Sequence, residues 1–171
     1  MSRTLAGLEK MRMISPELQK AIDALEIDDV YLREVTAHCA DGFEPKYSDY
    51  EALTFQTRHF VKQSSLVELD GERFLLRVFV DLGARWIDES SKDEQLLPRA
   101  YIEALFVAEY RMQGRLDQAS IDAFCLQNAS YHVWPYWREL LNSHCTRMHL
   151  PRVTLPTVQL AQNRHRDNVE C

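Results

Sequence analysis

The chain has 171 residues, of which 46% are apolar and 27% charged, as in an ordinary globular domain. Twenty basic against 26 acidic residues give a net charge of −6, which argues against a nucleic-acid binder and a basic membrane-surface helix. No segment approaches the roughly 20 apolar residues of a membrane span, and Glu9 and Lys10 interrupt any signal-peptide core. We therefore expect one soluble, cytoplasmic domain.

The cysteines are scattered and form no short pair spacing of the kind that binds metal. In a cytoplasmic chain they are expected to be free thiols, mostly small buried groups. No structural disulfide is predicted. The four positions are Cys39, Cys125, Cys145 and Cys171.

The amino-terminal part predicts a helix followed by a strand. Ser15 can cap a helix and Pro16 suits its first position, while apolar residues follow at helical spacing. This helix is predicted to end near Ile27. Residues 30–40 then alternate and predict a strand, which ends at the turn formed by Asp41 and Gly42.

The middle of the chain predicts three strands. Apolar and polar residues alternate over 53–61, 74–82 and 100–112, a period of two. Asp70 and Gly71 favour a tight hairpin between the first two strands. Long neighbouring strands joined by short loops form an antiparallel meander with one buried face.

After Gly114 the apolar spacing becomes helical. It predicts a short helix over 117–127 and a longer one that begins near Trp134 and Pro135. Two later prolines force residues 152–160 into an extended segment, and the polar tail 161–171 is predicted to be disordered. The fold class is α+β.

No pattern indicates catalysis or metal binding. The spacing of His132, His144 and Cys145 matches no closed zinc site, and the nucleophile-elbow, phosphate-loop and dinucleotide motifs are absent from the sequence. Glu103 and Glu109 share a strand face but lie about 20 Å apart, too far to act as a carboxylate pair. We predict a protein that is not an enzyme and needs no cofactor.

Aromatic residues are unusually dense. Four of them crowd seven positions, more than one helical stripe can turn inward, and two others lie on the strand faces opposite the regular apolar ones. Either they form a subunit interface or a ligand groove, or helices cover both faces of the sheet. These residues are Tyr131, Trp134, Tyr136, Trp137, Phe79 and Tyr101.

Two linked segments carry a resemblance. Trp-Pro-Tyr-Trp-Arg-Glu at 134–139, followed by Thr-Arg-Met-His-Leu-Pro-Arg-Val-Thr-Leu-Pro-Thr-Val at 146–158, resembles the SecB protein-export chaperones, and the order of strands and helices agrees. The resemblance implies a four-stranded antiparallel sheet with helices on one face. It also implies a homotetramer, a dimer of dimers, that acts as an ATP-independent holdase for unfolded polypeptides.

The departures from that family point to one branch of it. Only residues 159–171 stand where the export chaperones have a long helix and an acidic tail, which puts contact with the export ATPase in doubt. The extra helices resemble those of the SecB-like chaperones of toxin–antitoxin–chaperone modules, which bind an aggregation-prone extension of an antitoxin. General export and a non-chaperone oligomeric adaptor remain the alternatives, together with a small-ligand or enzymatic domain that borrows the fold.

We therefore expect a helical extension at 1–27, a SecB-like domain at 28–160 and the tail at 161–171. Arg138 is expected to pair with a carboxylate of a neighbouring strand or subunit. Trp137→Ala is expected to lower holdase activity more than melting temperature. The positions predicted to contact clients or other subunits are Trp134, Tyr136, Trp137, Leu141, Val153, Leu155 and Val158.

Overall fold

A four-stranded antiparallel sheet with helices on one face forms the molecule. The structure is a computed structural model and describes residues 14–90 and 97–156. In chain order the elements are helix α1 (Pro16–Ala24), strand β1 (Leu25–Cys39), a 3-10 turn (Pro45–Tyr47), strands β2 (Leu53–Glu68), β3 (Arg73–Asp88) and β4 (Pro98–Gln113), helix α2 (Gln118–Phe124), a π-helical turn (Cys125–Ala129) and helix α3 (Ser130–Arg147).

The strand order is β1-β4-β3-β2, and every neighbouring pair is antiparallel. Strands β2, β3 and β4 form the predicted meander, while the crossover that follows β1 leaves that strand beside β4 at the far edge. The α+β class and the four-stranded antiparallel sheet are therefore confirmed. The buried apolar residues of all three helices belong to one core cluster, which places the helices on one face of the sheet.

The main core lies between the helices and the two central strands. Alternate residues of β3 and β4 share this face, as their period of two predicts, and each fully buried large apolar side chain contributes about 1.5–3 kcal/mol. The helices complete the core from above with residues of α2 and α3. The central-strand residues of this cluster are Leu76, Val78, Val80, Leu82, Ala84, Trp86, Ala100, Ile102, Ala104, Phe106, Ala108, Tyr110 and Met112.

Helix α1 begins as predicted but ends earlier. Ser15 caps it, since its hydroxyl accepts a hydrogen bond from the Leu18 amide at 3.2 Å. The helix stops at Ala24 rather than Ile27, and β1 starts at Leu25 rather than Val30. The reason is tertiary: Leu25 and Ile27 pair with Met112 and Tyr110 of β4, and this ladder outweighs the local helical spacing.

Strand β2 is longer than its alternation predicts. The regular pattern breaks after Val61 because a β-bulge inserts one residue before Gln63. Beyond the bulge, Ser64 and Leu66 pair with core residues of β3, so the strand continues to Glu68. A bulge shifts the side-chain period by one residue, and a strict alternation test therefore ends the strand too soon.

The helices after β4 are joined where the sequence predicted a break. Helix α2 passes through the π-helical turn directly into α3, which begins at Ser130, four residues before Trp134. Pro135 therefore lies inside α3 and not at its start. The missing proline amide removes one helical hydrogen bond, and burial of Val133, Trp134 and Trp137 beneath the helix offsets that loss.

The three cysteines within the described residues are free thiols. Of the helices in the described parts of the chain, none has the length and apolar character needed to cross a membrane. The predicted tail 161–171 lies outside the described residues.

The hairpin between β2 and β3 turns at Gly71, whose φ is +71°. An Ala at this position would meet no neighbour but would be held in the left-handed region. We expect Gly71→Ala to lower the free energy of unfolding by about 1 kcal/mol. Gly83 is the matched control, because it lies in the extended strand β3 and its added Cβ would contact Arg58 at an ordinary 3.5 Å.

Urea unfolding of the two variants measures the difference. Gly83→Ala is expected to be neutral or slightly stabilising, since alanine restricts the unfolded chain. Equal destabilisation by both substitutions would contradict the backbone explanation for Gly71.

Candidate functional site

The aromatic stripe of α3 lies inside the molecule. Trp137 is 1% exposed, Trp134 is 4% exposed and Leu141 is 1% exposed, and all three belong to the main core. The indole Nε1 of Trp134 donates a hydrogen bond to the carbonyl of Pro156 at 2.6 Å. Trp134 therefore fastens the segment after α3 onto the helix.

That segment continues the core. Leu155 is buried, and Val153 is half-buried and packs against the same cluster. The extended conformation predicted for 152–160 is seen as irregular backbone over 151–156. Val158 lies outside the described residues.

Of the seven predicted contact residues, four are buried in the core, one is exposed, Val153 is half-buried and Val158 lies outside the described residues. Trp134, Trp137, Leu141 and Leu155 come together in the core, where packing accounts for them and no client reaches them while α3 stays in place. Tyr136 is 48% exposed on the outer side of α3. Helical spacing placed these residues on their stripes correctly, but it did not say which stripe faced inward.

A second apolar surface escaped the sequence analysis. Ile27, Leu32 and Val35 of β1 are 47%, 41% and 39% exposed. They pair with Tyr110, Phe106 and Ala104 of β4 and so lie on the helix side of the sheet. We call these three residues the β1 stripe.

The β1 stripe was hard to see because β1 contains two bulges. The register shifts between Ile27 and Asp29 and again between Leu32 and Glu34. Each shift returns the next apolar residue to the helix side, so residues three apart share one face. A search for strict alternation misses this pattern, whereas a search that allows one inserted residue finds it.

Strand β1 is also an open edge. It pairs with β4 along one side, and among the described strands none lies along its other side. An edge of 15 residues with exposed aliphatic side chains is a surface on which another extended chain can pack.

The opposite face of the sheet has a different character. Phe79, Leu105 and Val107 form a small buried cluster there, although the helices lie on the other face. The guanidinium groups of Arg33 and Arg77 lie over the Phe79 ring, 5.8 and 5.4 Å from its centroid. Their long side chains keep Phe79 from water, so this ring needs neither a helix nor a partner above it.

Charge pairs complete that face. Arg77 Nε donates to Glu109 at 2.9 Å, and its Nη2 donates to the hydroxyl oxygen of Tyr31 at 2.7 Å. The hydrogen bond to Tyr31 is the largest cause of a raised pKa of the Arg77 guanidinium, and the hydrogen bond to Glu109 is the next largest. Arg58 pairs with both Asp81 and Glu103. We call this surface the charged face; it is a poor apolar groove.

Ion pairs, burial and a backbone hydrogen bond account for the residues that a catalytic interpretation would use. Glu103 and Glu109 are each held by an arginine. Burial raises the pKa of Cys125 and of Cys145 to about 11, so both thiols are protonated at neutral pH and are weak nucleophiles. Nδ1 of His144 is bonded to the Leu140 carbonyl at 2.9 Å. Within the described residues, no three His, Cys, Asp or Glu side chains gather as metal ligands.

Arg138 behaves differently from the expectation of a carboxylate partner within the chain. The ion pairs among the described residues do not include it, and its Nε is buried without a hydrogen-bond partner. One helical turn later, Asn142 Oδ1 is buried and unpaired as well. Unsatisfied buried polar atoms are costly, and these two lie together on α3.

The burial of Trp137 changes what its substitution should do. We expect Trp137→Ala to lower the free energy of unfolding by about 3–5 kcal/mol, because it opens a cavity in the core. Tyr136 is the preceding residue but is exposed, so Tyr136→Ala is expected to lower the free energy of unfolding by less than about 1 kcal/mol. Chemical denaturation of both variants gives the comparison. A Trp137→Ala protein with an unchanged midpoint would contradict the core assignment.

Comparison with known proteins adds one finding. No protein-family model and no curated protein sequence matches this chain. A solved structure does: the SecB-like chaperone Rv1957 of Mycobacterium tuberculosis, determined in complex with a ChAD peptide from the Rv1956 HigA1 antitoxin. The TM-score is 0.62 at 15% identity, over 85% of this chain and 98% of that one. The chain has the fold of the SecB-like chaperones.

Proposed function

We propose that this protein is an ATP-independent chaperone that holds an aggregation-prone segment of an antitoxin in a toxin–antitoxin–chaperone module. The observation that carries the proposal is the β1 stripe, an exposed aliphatic surface on an open edge strand of a SecB-like fold. The neighbour of this fold that binds an antitoxin peptide supports the choice of partner.

The binding mechanism needs only apolar contact and backbone pairing. An unfolded segment that covers the β1 stripe gains roughly 25 cal/mol for each Å² of apolar surface removed from water. Part of this gain offsets the entropy lost when the segment becomes ordered, so one surface binds modestly. No nucleotide or metal enters this cycle, and release follows when the client folds or transfers to its own partner.

The sequence-derived residues take two places in this proposal. Tyr136, Val153 and Val158 are candidate direct contacts of the client or of another subunit. Trp134, Trp137, Leu141 and Leu155 support the surface from the core, and they reach a client only if α3 moves. The free thiols of the described chain agree with a cytoplasmic location.

We further propose a homotetramer. Tyr136 supports an interface with another copy, because this aromatic side chain on the outer side of α3 is 48% exposed and a second chain can cover it. Four copies would place several β1 stripes on one particle. Effective concentration then raises the affinity for a long client above that of a single surface.

Substitution of the β1 stripe tests the client site. Leu32→Ser and Val35→Ser together are expected to weaken binding of reduced, unfolded α-lactalbumin by about tenfold, because both remove apolar contact area. Thr36→Ser is the matched control, since Thr36 pairs with Glu103 and lies on the charged face of the same strand. Fluorescence anisotropy of labelled α-lactalbumin measures both. Full binding by the double variant would exclude the β1 stripe.

Light scattering coupled to size-exclusion chromatography tests the assembly. Four chains of 20.0 kDa give an expected mass of about 80 kDa. Tyr136→Ser is expected to shift the equilibrium towards dissociated chains, because it removes an exposed aromatic side chain from α3, while Arg85→Ala on the charged face leaves it unchanged. A wild-type protein that elutes as a single chain at micromolar concentration would contradict the tetramer.

A further inference from the structure

Helix α3 is joined to the sheet by polar contacts at its first turn. The hydroxyl of Tyr110, on the central strand β4, lies 2.9 Å from Nδ1 of His132 on α3. Beside it, Nε2 of His59 on β2 lies 2.8 Å from the hydroxyl of Ser130. Polar contacts between an apolar sheet face and a helix fix the position of that helix, because each group loses water and keeps one partner.

The direction of the Tyr110–His132 hydrogen bond follows from burial. Tyr110 is fully buried, and burial raises its pKa far above the usual range, so the phenol keeps its proton. The proton therefore points to Nδ1 of His132, which must accept it as a neutral imidazole. When Nδ1 takes up a proton it becomes a donor, and the phenol must turn its own proton away from His132. His132 is the hydrogen-bond partner of this hydroxyl among the described residues, so the buried phenol proton then loses its acceptor.

His132 is half-buried, and the protein groups described around it offer little to compensate a charge on its imidazole. Burial lowers its pKa. The rings of Phe124 on α2 and of Tyr131 lie 6.5 and 5.9 Å from the imidazole, and the titratable neighbour of Tyr110 on the π-helical turn is the protonated thiol of Cys125.

The elements packed around this pair add no carboxylate at the hydrogen bond. In the sheet, Ile27 of β1 and Leu76 of β3 flank Tyr110, and both are apolar. Helix α2 carries Asp122, which is exposed and acts on Cys125. Helix α1 packs on α2 with its charged residues exposed. These are Glu17, Lys20 and Asp23.

The π-helical turn supplies a place where α3 can move. It lies directly before Ser130, so both polar contacts of the first turn are adjacent to it. A π turn interrupts the regular hydrogen-bond ladder, and such turns mark points where helices adjust. The inner face of the same stretch of α3 carries Trp134 and Trp137, the largest apolar side chains that this helix buries against the sheet.

We propose that the Tyr110–His132 hydrogen bond is an acid-sensitive latch. At neutral pH it holds the first turns of α3 on the sheet. On acidification His132 becomes charged, the first turns of α3 swing about the π-helical turn, and the apolar surface around Trp134 and Trp137 is uncovered. The opening is a property of this chain alone; that the uncovered surface then binds more client rests on the proposed function.

The sign of the pH dependence is fixed by linkage. The unfolded chain protonates this histidine near its ordinary pKa of about 6.5, whereas the folded chain does so only at lower pH. The stabilisation is therefore complete above pH 6.5. It is lost as the pH falls from there through the lower folded pKa.

Hydrogen exchange with mass spectrometry tests the latch on the full chain. At about pH 5.5 compared with about pH 7.5, after correction for intrinsic rates, peptides covering 125–137 are expected to lose protection by about tenfold or more, while β3 peptides keep theirs. His132→Asn is the key variant, because its Oδ1 can accept the Tyr110 proton but cannot titrate. Its helix should stay protected at both pH values.

Two outcomes overturn the latch. One is the same response to acid in the wild type and in His132→Asn. The other is an equal loss of protection in α3 and β3, which would mean global unfolding.

Binding of reduced α-lactalbumin, measured in parallel, separates the latch from the proposed function. An opening helix with no client bound at either pH would sustain the latch and contradict the chaperone proposal. Client binding by a protein whose helix α3 stays protected at both pH values would contradict the latch and support the chaperone proposal.

Discussion

Burial of one face of β3 and β4 is the constraint on which the structure depends. These two strands have neighbours on both edges and supply thirteen residues to the core cluster that the helices cover. The opposite face also carries a small cluster of buried apolar residues, although the helices lie on the other face. Arg33 and Arg77 lie over Phe79 of that cluster and are themselves placed by the sheet register. One face is dry and layered, and the other is charged and open to water.

The two edge strands carry the consequences. Since the helices centre on β3 and β4, the aliphatic residues of β1 on the helix side are only partly covered. A permanently exposed aliphatic edge invites aggregation unless another chain covers it. Under the function proposed above, this exposed edge is the client-binding surface.

Helix α3 has apolar residues both in the core and on its exposed side. Its inner aromatic side chains stabilise the fold, and its outer side carries the exposed Tyr136. The helix is attached through polar contacts and a π-helical turn rather than through a long apolar seam alone. Such an attachment can be released by changing one proton, whereas an apolar seam responds little to pH.

The sequence by itself determined the strand faces of β3 and β4, the hairpin at Gly71, the cap at Ser15 and the α+β class, because these depend on short-range periodicity and local backbone preference. The segments at 134–139 and 146–158 also led to the correct fold. Only the tertiary structure decided where α1 gives way to β1, where the bulges of β1 and β2 lie, and that Trp137 faces inward. Periodicity tells which residues share a face. Whether that face is buried depends on what packs against it, and the β1 stripe is exposed because the helices cover β1 only in part.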